Sequence, residues 1–117
     1  MTVLRVAAEW VVEPSERIIF LGAVDDGRRL IPGEWMGYTV EDCNDEGPQK
    51  YPCVLVKDRD GARFDFCGWR TWCPDEPALP YNTNVFDKTL VAGEFFTVID
   101  DEGEELTYRI TSVSPAG

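Results

Sequence analysis

The chain contains no histidine, and its 11 Lys and Arg residues stand against 22 Asp and Glu residues. Without histidine, the usual general base for a Ser or Cys nucleophile is missing, and no phosphate-binding or dinucleotide-binding glycine motif occurs. The shortage of bases disfavours direct contact with nucleic acid or with an anionic membrane, because phosphate recognition requires Lys and Arg. We therefore predict a protein that is not an enzyme and binds neither nucleic acid nor membrane directly.

Long apolar runs are also missing. No run approaches the roughly 18 residues that a membrane helix needs, and the opening MTVLRVAAEW lacks the basic and then unbroken apolar character of a signal peptide. Hydrophobic residues make up 44% of the 117 residues, which is enough for one compact domain over residues 1–117. We expect that domain in the cytoplasm.

Apolar residues alternate with polar ones in short runs, which is typical of half-buried strands. In the first run, which must stop at Pro14, the alternating residues are Leu4, Val6, Ala8, Trp10 and Val12. A second run covers RIIFLGAV at 17–24, and Asp-Gly turns are predicted at 25–27, 58–61 and 100–103. The pattern predicts an all-β fold: a small barrel or sandwich of about seven or eight short, mostly antiparallel strands. An SH3-like barrel is one form that fits.

Two acidic clusters carry most of the net charge of −11. They supply nine uncompensated carboxylates at predicted turns: Glu41, Asp42, Asp45 and Glu46 in the first, and Asp100, Asp101, Glu102, Glu104 and Glu105 in the second. The remainder of the chain is nearly neutral. Acidity that served only solubility would be spread over the surface, so the concentration at two turns favours a binding role.

The two clusters close two similar stretches, LIPGEWMGYTVEDCNDEG at 30–47 and LVAGEFFTVIDDEG at 90–103. Each is followed by Tyr-x-x-x-x-Val, so a duplicated hairpin over 30–56 and 90–113 is one interpretation. The other is the ordinary composition of acidic β-hairpins, in which Gly precedes a strand and an acid-Gly pair forms the turn.

The segment 67–86 departs from the strand pattern because it contains Pro74, Pro77 and Pro80, which exclude a helix or a central strand. This long Pro-rich and Trp-rich loop also carries Trp69, Trp72, Tyr81 and Phe86. Two interpretations stay open. The aromatic side chains plug one end of the barrel, or Trp69, Trp72 and Tyr81 form a protein-binding surface.

The cysteines do not have the spacing of a metal site. Cys43, Cys53, Cys67 and Cys73 are separated by nine, thirteen and five residues, whereas structural zinc ligands come in close pairs. The DDEGEE cluster lacks the ligand spacing of a calcium loop. We predict free cysteines, no metal and no cofactor.

These features lead to one preferred function and two alternatives. We predict an acidic inhibitor that occupies a basic, nucleic-acid-binding protein by imitating phosphates. Its small size and acidity resemble those of phage proteins that block host defence in the bacterial cytoplasm, including anti-CRISPR proteins. An immunity protein that neutralises a toxin is the first alternative. A structural or assembly module of a phage or secretion system is the second; it would use sheet edges and the Trp-rich loop. An unpaired edge strand would also allow a homodimer.

Overall fold

Eight antiparallel strands form one sheet in the computed structural model, which describes residues 2–41, 47–66 and 80–116. The strands are β1 (Thr2–Trp10), β2 (Arg17–Val24), β3 (Glu34–Glu41), β4 (Gln49–Asp58), β5 (Gly61–Asp65), β6 (Pro80–Asn82), β7 (Phe95–Ile99) and β8 (Glu105–Pro115). The helical structure in this described part is one short 3₁₀ turn, Val85–Asp87. The all-β prediction is confirmed.

The sheet curls into a nearly closed barrel. Its strand order is β6-β5-β4-β3-β2-β1-β8-β7, and the residues after β6 reach β7. Thr83 forms a bridge with Val98 and donates its hydroxyl to the carbonyl of Thr97 at 2.8 Å. The Thr97 N–H in turn donates to the Asn84 side chain at 2.8 Å. A single curled sheet is the barrel form of the prediction, whereas the SH3-like variant stays a prediction.

The core fills the inside of the barrel. Leu4, Val6 and Ala8 of β1 are buried as their alternation predicted, but β1 ends at Trp10 and leaves Val12 73% exposed. Phe64 lies at the centre of an aromatic group, with ring centroids 6.1 Å from Phe20 and 6.4 Å from Phe96. These contacts tie β2, β5 and β7 together across the interior.

The three predicted Asp-Gly turns are confirmed, and two of them join the strands of a hairpin, β4–β5 and β7–β8. The Asp25 turn instead leads to an isolated bridge between Val24 and Leu30, and β3 begins only at Glu34. The Asp25 carboxylate accepts the N–H groups of Gly27 and Arg29, which makes this turn a side-chain-stabilised loop. Pro80 opens the short strand β6 at one end of the strand order, where proline is tolerated.

The two similar stretches both become hairpins, β3–β4 and β7–β8. Their opening leucines, Leu30 and Leu90, are both buried, and the Leu90 N–H donates to the carbonyl of Arg28 at 2.9 Å. The later positions differ, because Tyr51 is exposed while Tyr108 is buried. The duplication therefore stays a prediction.

Successive connections alternate between the two ends of the barrel, because each strand runs antiparallel to its neighbours. One end contains the β1–β2 and β7–β8 connections together with the last residues of β3 and β5 and the first residues of β4 and β6; we call it the acidic end. The β2–β3, β4–β5 and β6–β7 connections share the other, which we call the mixed end. The mixed end is filled by its own connections, whose buried apolar residues are Leu30, Val85, Phe86 and Leu90. Phe86 thus helps to fill the mixed end, while the interpretation that the aromatic residues of the Pro-rich loop together plug one barrel end stays a prediction.

Candidate binding site at the acidic end

Charge differs sharply between the two ends of the barrel. We counted the charges of the described connections and of the two strand residues that flank each connection on either side. The acidic end has ten carboxylates and two cations: Glu9, Glu13, Glu16, Glu41, Asp65, Asp100, Asp101, Glu102, Glu104 and Glu105, with Arg17 and Lys50. The mixed end has seven carboxylates and five cations: Asp25, Asp26, Glu34, Asp58, Asp60, Asp87 and Glu94, with Arg28, Arg29, Lys57, Arg59 and Lys88. Antiparallel topology therefore gathers the uncompensated charge on one side.

A cavity of about 620 Å³ lies at the acidic end. Its apolar lining includes the buried side chains of Phe64 and Val98, which belong to the core. Its aromatic lining consists of Trp10, Tyr51, Phe66, Tyr81 and Tyr108. Cavities of this size, apolar with a few polar groups, are typical of ligand sites and anchor pockets in proteins.

The two acidic hairpins converge on this cavity. Glu41 lines it from the end of β3, while Asp100 and Glu104 line it from the β7–β8 turn. Burial raises the pKa of Tyr81, and the nearby carboxylates Asp101, Asp100 and Glu41 raise it further because they repel a phenolate. Carboxylates from both hairpins thus act on one aromatic side chain.

Burial and carboxylates at the acidic end also raise the pKa of Tyr108, which lies deeper in the barrel. Burial is the main cause of its raised pKa, followed by the charges of Glu16 and Glu41. Its ring stacks on Phe96 with 5.7 Å between centroids, so it joins the cavity lining to the core.

The β7–β8 turn is held by its first acid. The Asp100 carboxylate accepts the N–H groups of Glu102 at 2.9 Å and Glu104 at 2.8 Å, and its carbonyl accepts the N–H of Gly103 at 3.1 Å. Gly103 has a φ of 82°, which glycine adopts without strain. Asp100 is therefore a structural residue, whereas Asp101, Glu102, Glu104 and Glu105 are exposed.

The predicted site residues fall into three groups. Glu41 and the five acids of the second cluster lie at the acidic end, as the preceding paragraphs describe. Tyr81 is half-buried on the cavity wall, with its ring edge-to-face with Phe66 at 4.9 Å. The remaining predicted residues, Asp42, Asp45, Glu46, Trp69 and Trp72, lie outside the described residues.

Sequence reasoning missed several cavity residues. It placed Trp10 in an alternating strand and gave no site role to Tyr108, Glu16 or Arg17, although all four line the cavity. Trp10 and Tyr108 are cross-strand partners in β1 and β8, 98 positions apart in the chain. The signal in the sequence that could have found the cavity was an aromatic residue near a strand end, close to a connection rich in acids.

One of the four cysteines lies in the described residues. Cys53 is free and 1% exposed, and burial, assisted by the charge of Asp65, raises its pKa to about 12. The thiol therefore stays protonated and unreactive at neutral pH, as the prediction of free cysteines requires at this position. Within the described ranges, no three His, Cys, Asp or Glu side chains are grouped as metal ligands.

No protein-family model, curated protein or solved structure matches this chain. The fold and the site thus define a class, a small all-β barrel with an acidic, aromatic-lined end, without assigning the chain to a family. In the described part of the chain, no helix has the length and apolarity required to cross a membrane.

Proposed function

We propose that this protein binds a basic, nucleic-acid-binding protein through its acidic end and blocks that partner's nucleic-acid site, without catalysing a reaction. The observation that carries the proposal is the meeting of Glu41 with the β7–β8 turn at one cavity. A surface where carboxylates from separate hairpins stand together offers a basic groove the same charge that phosphates would offer.

The charge imbalance supports fast and selective association. Ten carboxylates against two cations produce a negative field at the acidic end, and such a field steers a basic partner towards that end. The mixed end, with seven acids and five cations, provides a much weaker field. Binding at the acidic end would therefore weaken as salt rises, because salt screens exposed charges.

The alternative uses receive different support. An inhibitor of host defence, such as an anti-CRISPR protein, and an immunity protein would both use this acidic surface, so both stay predictions. An assembly module or homodimer that uses a sheet edge has less support, because the residues after β6 join β7 through Thr83, Asn84 and Thr97.

The test compares two charge-matched variants. One replaces Glu102, Glu104 and Glu105 at the acidic end by Gln, and the other replaces the exposed Asp26, Asp60 and Asp87 at the mixed end by Asn. Each immobilised protein is incubated with bacterial lysate at low and high salt. We expect the wild type and the mixed-end variant to capture the same partner at low salt, and the acidic-end variant to lose it.

The captured partner is then tested for nucleic-acid binding in the presence of the free protein. The proposal expects the wild type to displace the nucleic acid and the acidic-end variant to do so about tenfold less well, since exposed charges act mainly on the association rate. Equal capture by the two triple variants would contradict the proposal, as would a partner that holds nucleic acid and this protein together.

A further inference from the structure

We infer that the cavity at the acidic end is a pocket for one arginine side chain of the basic partner. This inference rests on the proposed function and names the anchor of the interface. The cavity combines an apolar interior with carboxylates on separate elements, and an arginine side chain has the matching parts: an apolar stem and a planar, charged head.

The aromatic walls suit the guanidinium plane. Tyr81 and Phe66 stand edge-to-face at 4.9 Å on the lining, and Trp10, Tyr51 and Tyr108 also contribute to it. A guanidinium stacks on aromatic faces and is less strongly hydrated than an ammonium, so it enters such a pocket at lower cost than lysine does. The buried side chains of Phe64 and Val98 offer contact to the methylene stem.

The charges around the cavity select a cation. Four carboxylates, from Glu16, Glu41, Asp100 and Glu104, line it together with one cation, Arg17. An anionic ligand would face this excess of negative charge, and a neutral apolar ligand would leave the carboxylates unused. Glu41 and Glu104 are exposed and stand on different hairpins, so a forked guanidinium has an acceptor on two sides.

The surface beyond the cavity indicates a protein side chain and not a free amine. Asp101, Glu102 and Glu105 are exposed on the same connection and lie outside the cavity lining. A small amine inside the cavity would not reach all of them, whereas the basic surface that surrounds an arginine would. The exposed acids then form the rim of an interface whose centre is the cavity.

The test uses N-acetyl-arginine amide as the probe, with N-acetyl-citrulline amide as its neutral isostere and octanoate as an apolar anion. Binding is followed by ¹⁵N chemical shifts and by the indole signal of Trp10. We expect saturable shifts at Trp10, Tyr81 and Glu104, with the arginine compound bound at least about tenfold more tightly than the citrulline compound. Stronger binding of octanoate, or equal binding of the citrulline compound, would overturn the inference.

Two variants localise the probe. Glu41→Gln removes one carboxylate, and Phe66→Leu keeps the apolar volume but removes the ring; each should weaken arginine binding about threefold or more. Asp26→Asn at the mixed end is the matched control and should leave it unchanged. A spectrum with native dispersion verifies the fold of each variant. Unchanged affinity in both cavity variants would overturn the inference.

The two proposals fail in different ways. An arginine probe that does not bind the cavity, while partner capture still requires Glu102, Glu104 and Glu105, would remove the arginine pocket and keep the acidic inhibitor. Arginine binding at the cavity, with partner capture unaffected by those three substitutions, would keep the pocket and remove the proposed function.

Discussion

Both ends of the barrel consist of connections between antiparallel strands, but the two ends differ in the burial of apolar residues and in charge. At the mixed end, the connections bury Leu30, Val85, Phe86 and Leu90, and cations offset most of the acids. At the acidic end, none of the described connection residues is buried, acids outnumber cations, and a cavity lies between the hairpins. One end thus completes the core, while the other combines an aromatic-lined cavity with an excess of negative charge.

The mixed end removes apolar side chains from water, whereas the acidic end leaves carboxylates exposed, and the two contribute differently to stability. Burying apolar side chains stabilises the barrel by roughly 25 cal/mol per Å² of apolar surface, so the mixed end contributes to stability. Exposed carboxylates contribute little to stability and repel each other, so their concentration at the acidic end has no structural benefit. The proposed binding role would account for an arrangement that folding does not require.

The largest expected effect is a difference in stability between variants that shorten an apolar side chain at one end or the other. Leu90→Ala, at a fully buried position of the mixed end, should lower the free energy of unfolding by about 2–5 kcal/mol because it leaves a cavity in the core. Leu106→Ala, at a half-buried position on the cavity wall, should cost about 1 kcal/mol, because its surroundings are already open. Urea unfolding measures both, and equal losses would contradict the comparison.

A smaller effect distinguishes structural from free acids within the acidic end. Asp100→Ala should lower the free energy of unfolding by about 1 kcal/mol, because two backbone N–H groups of the turn lose their acceptor. Glu102→Ala, at an exposed acid of the same turn, should change stability by no more than about 0.5 kcal/mol. Thermal unfolding of the two variants tests this contrast, which a comparable loss from Glu102→Ala would break.

The smallest effect concerns one ion pair at the mixed end, between Arg63 and Asp58. Arg63 donates to both oxygens of the Asp58 carboxylate at 3.1 Å, and this hydrogen bonding is the main reason that the pKa of Asp58 lies below its ordinary value. A lowered pKa stabilises the fold above the unfolded-state value, and this contribution disappears as pH falls through the folded-state value.

NMR titration of the Asp58 carboxyl should give a pKa below the ordinary value, and Arg63→Gln should raise it. The β4–β5 turn should keep its structure in this variant, because the N–H of Asp60 also donates to Asp58. A pKa of Asp58 that does not respond to Arg63→Gln would show that the mixed end is not held by this ion pair.

The sequence predicted the fold well because strand patterns are local. The alternation predicted from Leu4 to Val12 and the run at 17–24 correspond to β1 and β2, although β1 ends at Trp10, and two Asp-Gly turns lie at hairpins. The path after the Asp25 turn was less predictable, because Arg29 forms a bridge with Thr89, which lies 60 residues further along the chain. Barrel closure through Thr83 and Val98 is likewise a long-range contact that no local pattern encodes.

The candidate site was predictable only in part. Charge counting found the second acidic cluster, and proline spacing drew attention to Tyr81. The cavity itself was not predictable, because Trp10, Phe64 and Tyr108 come from three strands and meet only when the sheet curls. Connections alternate between the two ends of the barrel, so the end at which an acidic turn lies depends on the number of strands before it. This alternation places Glu41 at the same cavity as the β7–β8 turn.

The pKa of Tyr81 tests most directly whether the two acidic hairpins meet. NMR titration of tyrosine labelled with ¹³C at Cζ, with Tyr81→Phe to assign the resonance, should give a pKa above the ordinary value. Asp101→Asn should lower it, Glu41→Gln should lower it by less, and Asp26→Asn at the mixed end should leave it unchanged. A Tyr81 pKa that responds to Asp101→Asn but not to Glu41→Gln would contradict the account, because the first hairpin would then not share the site.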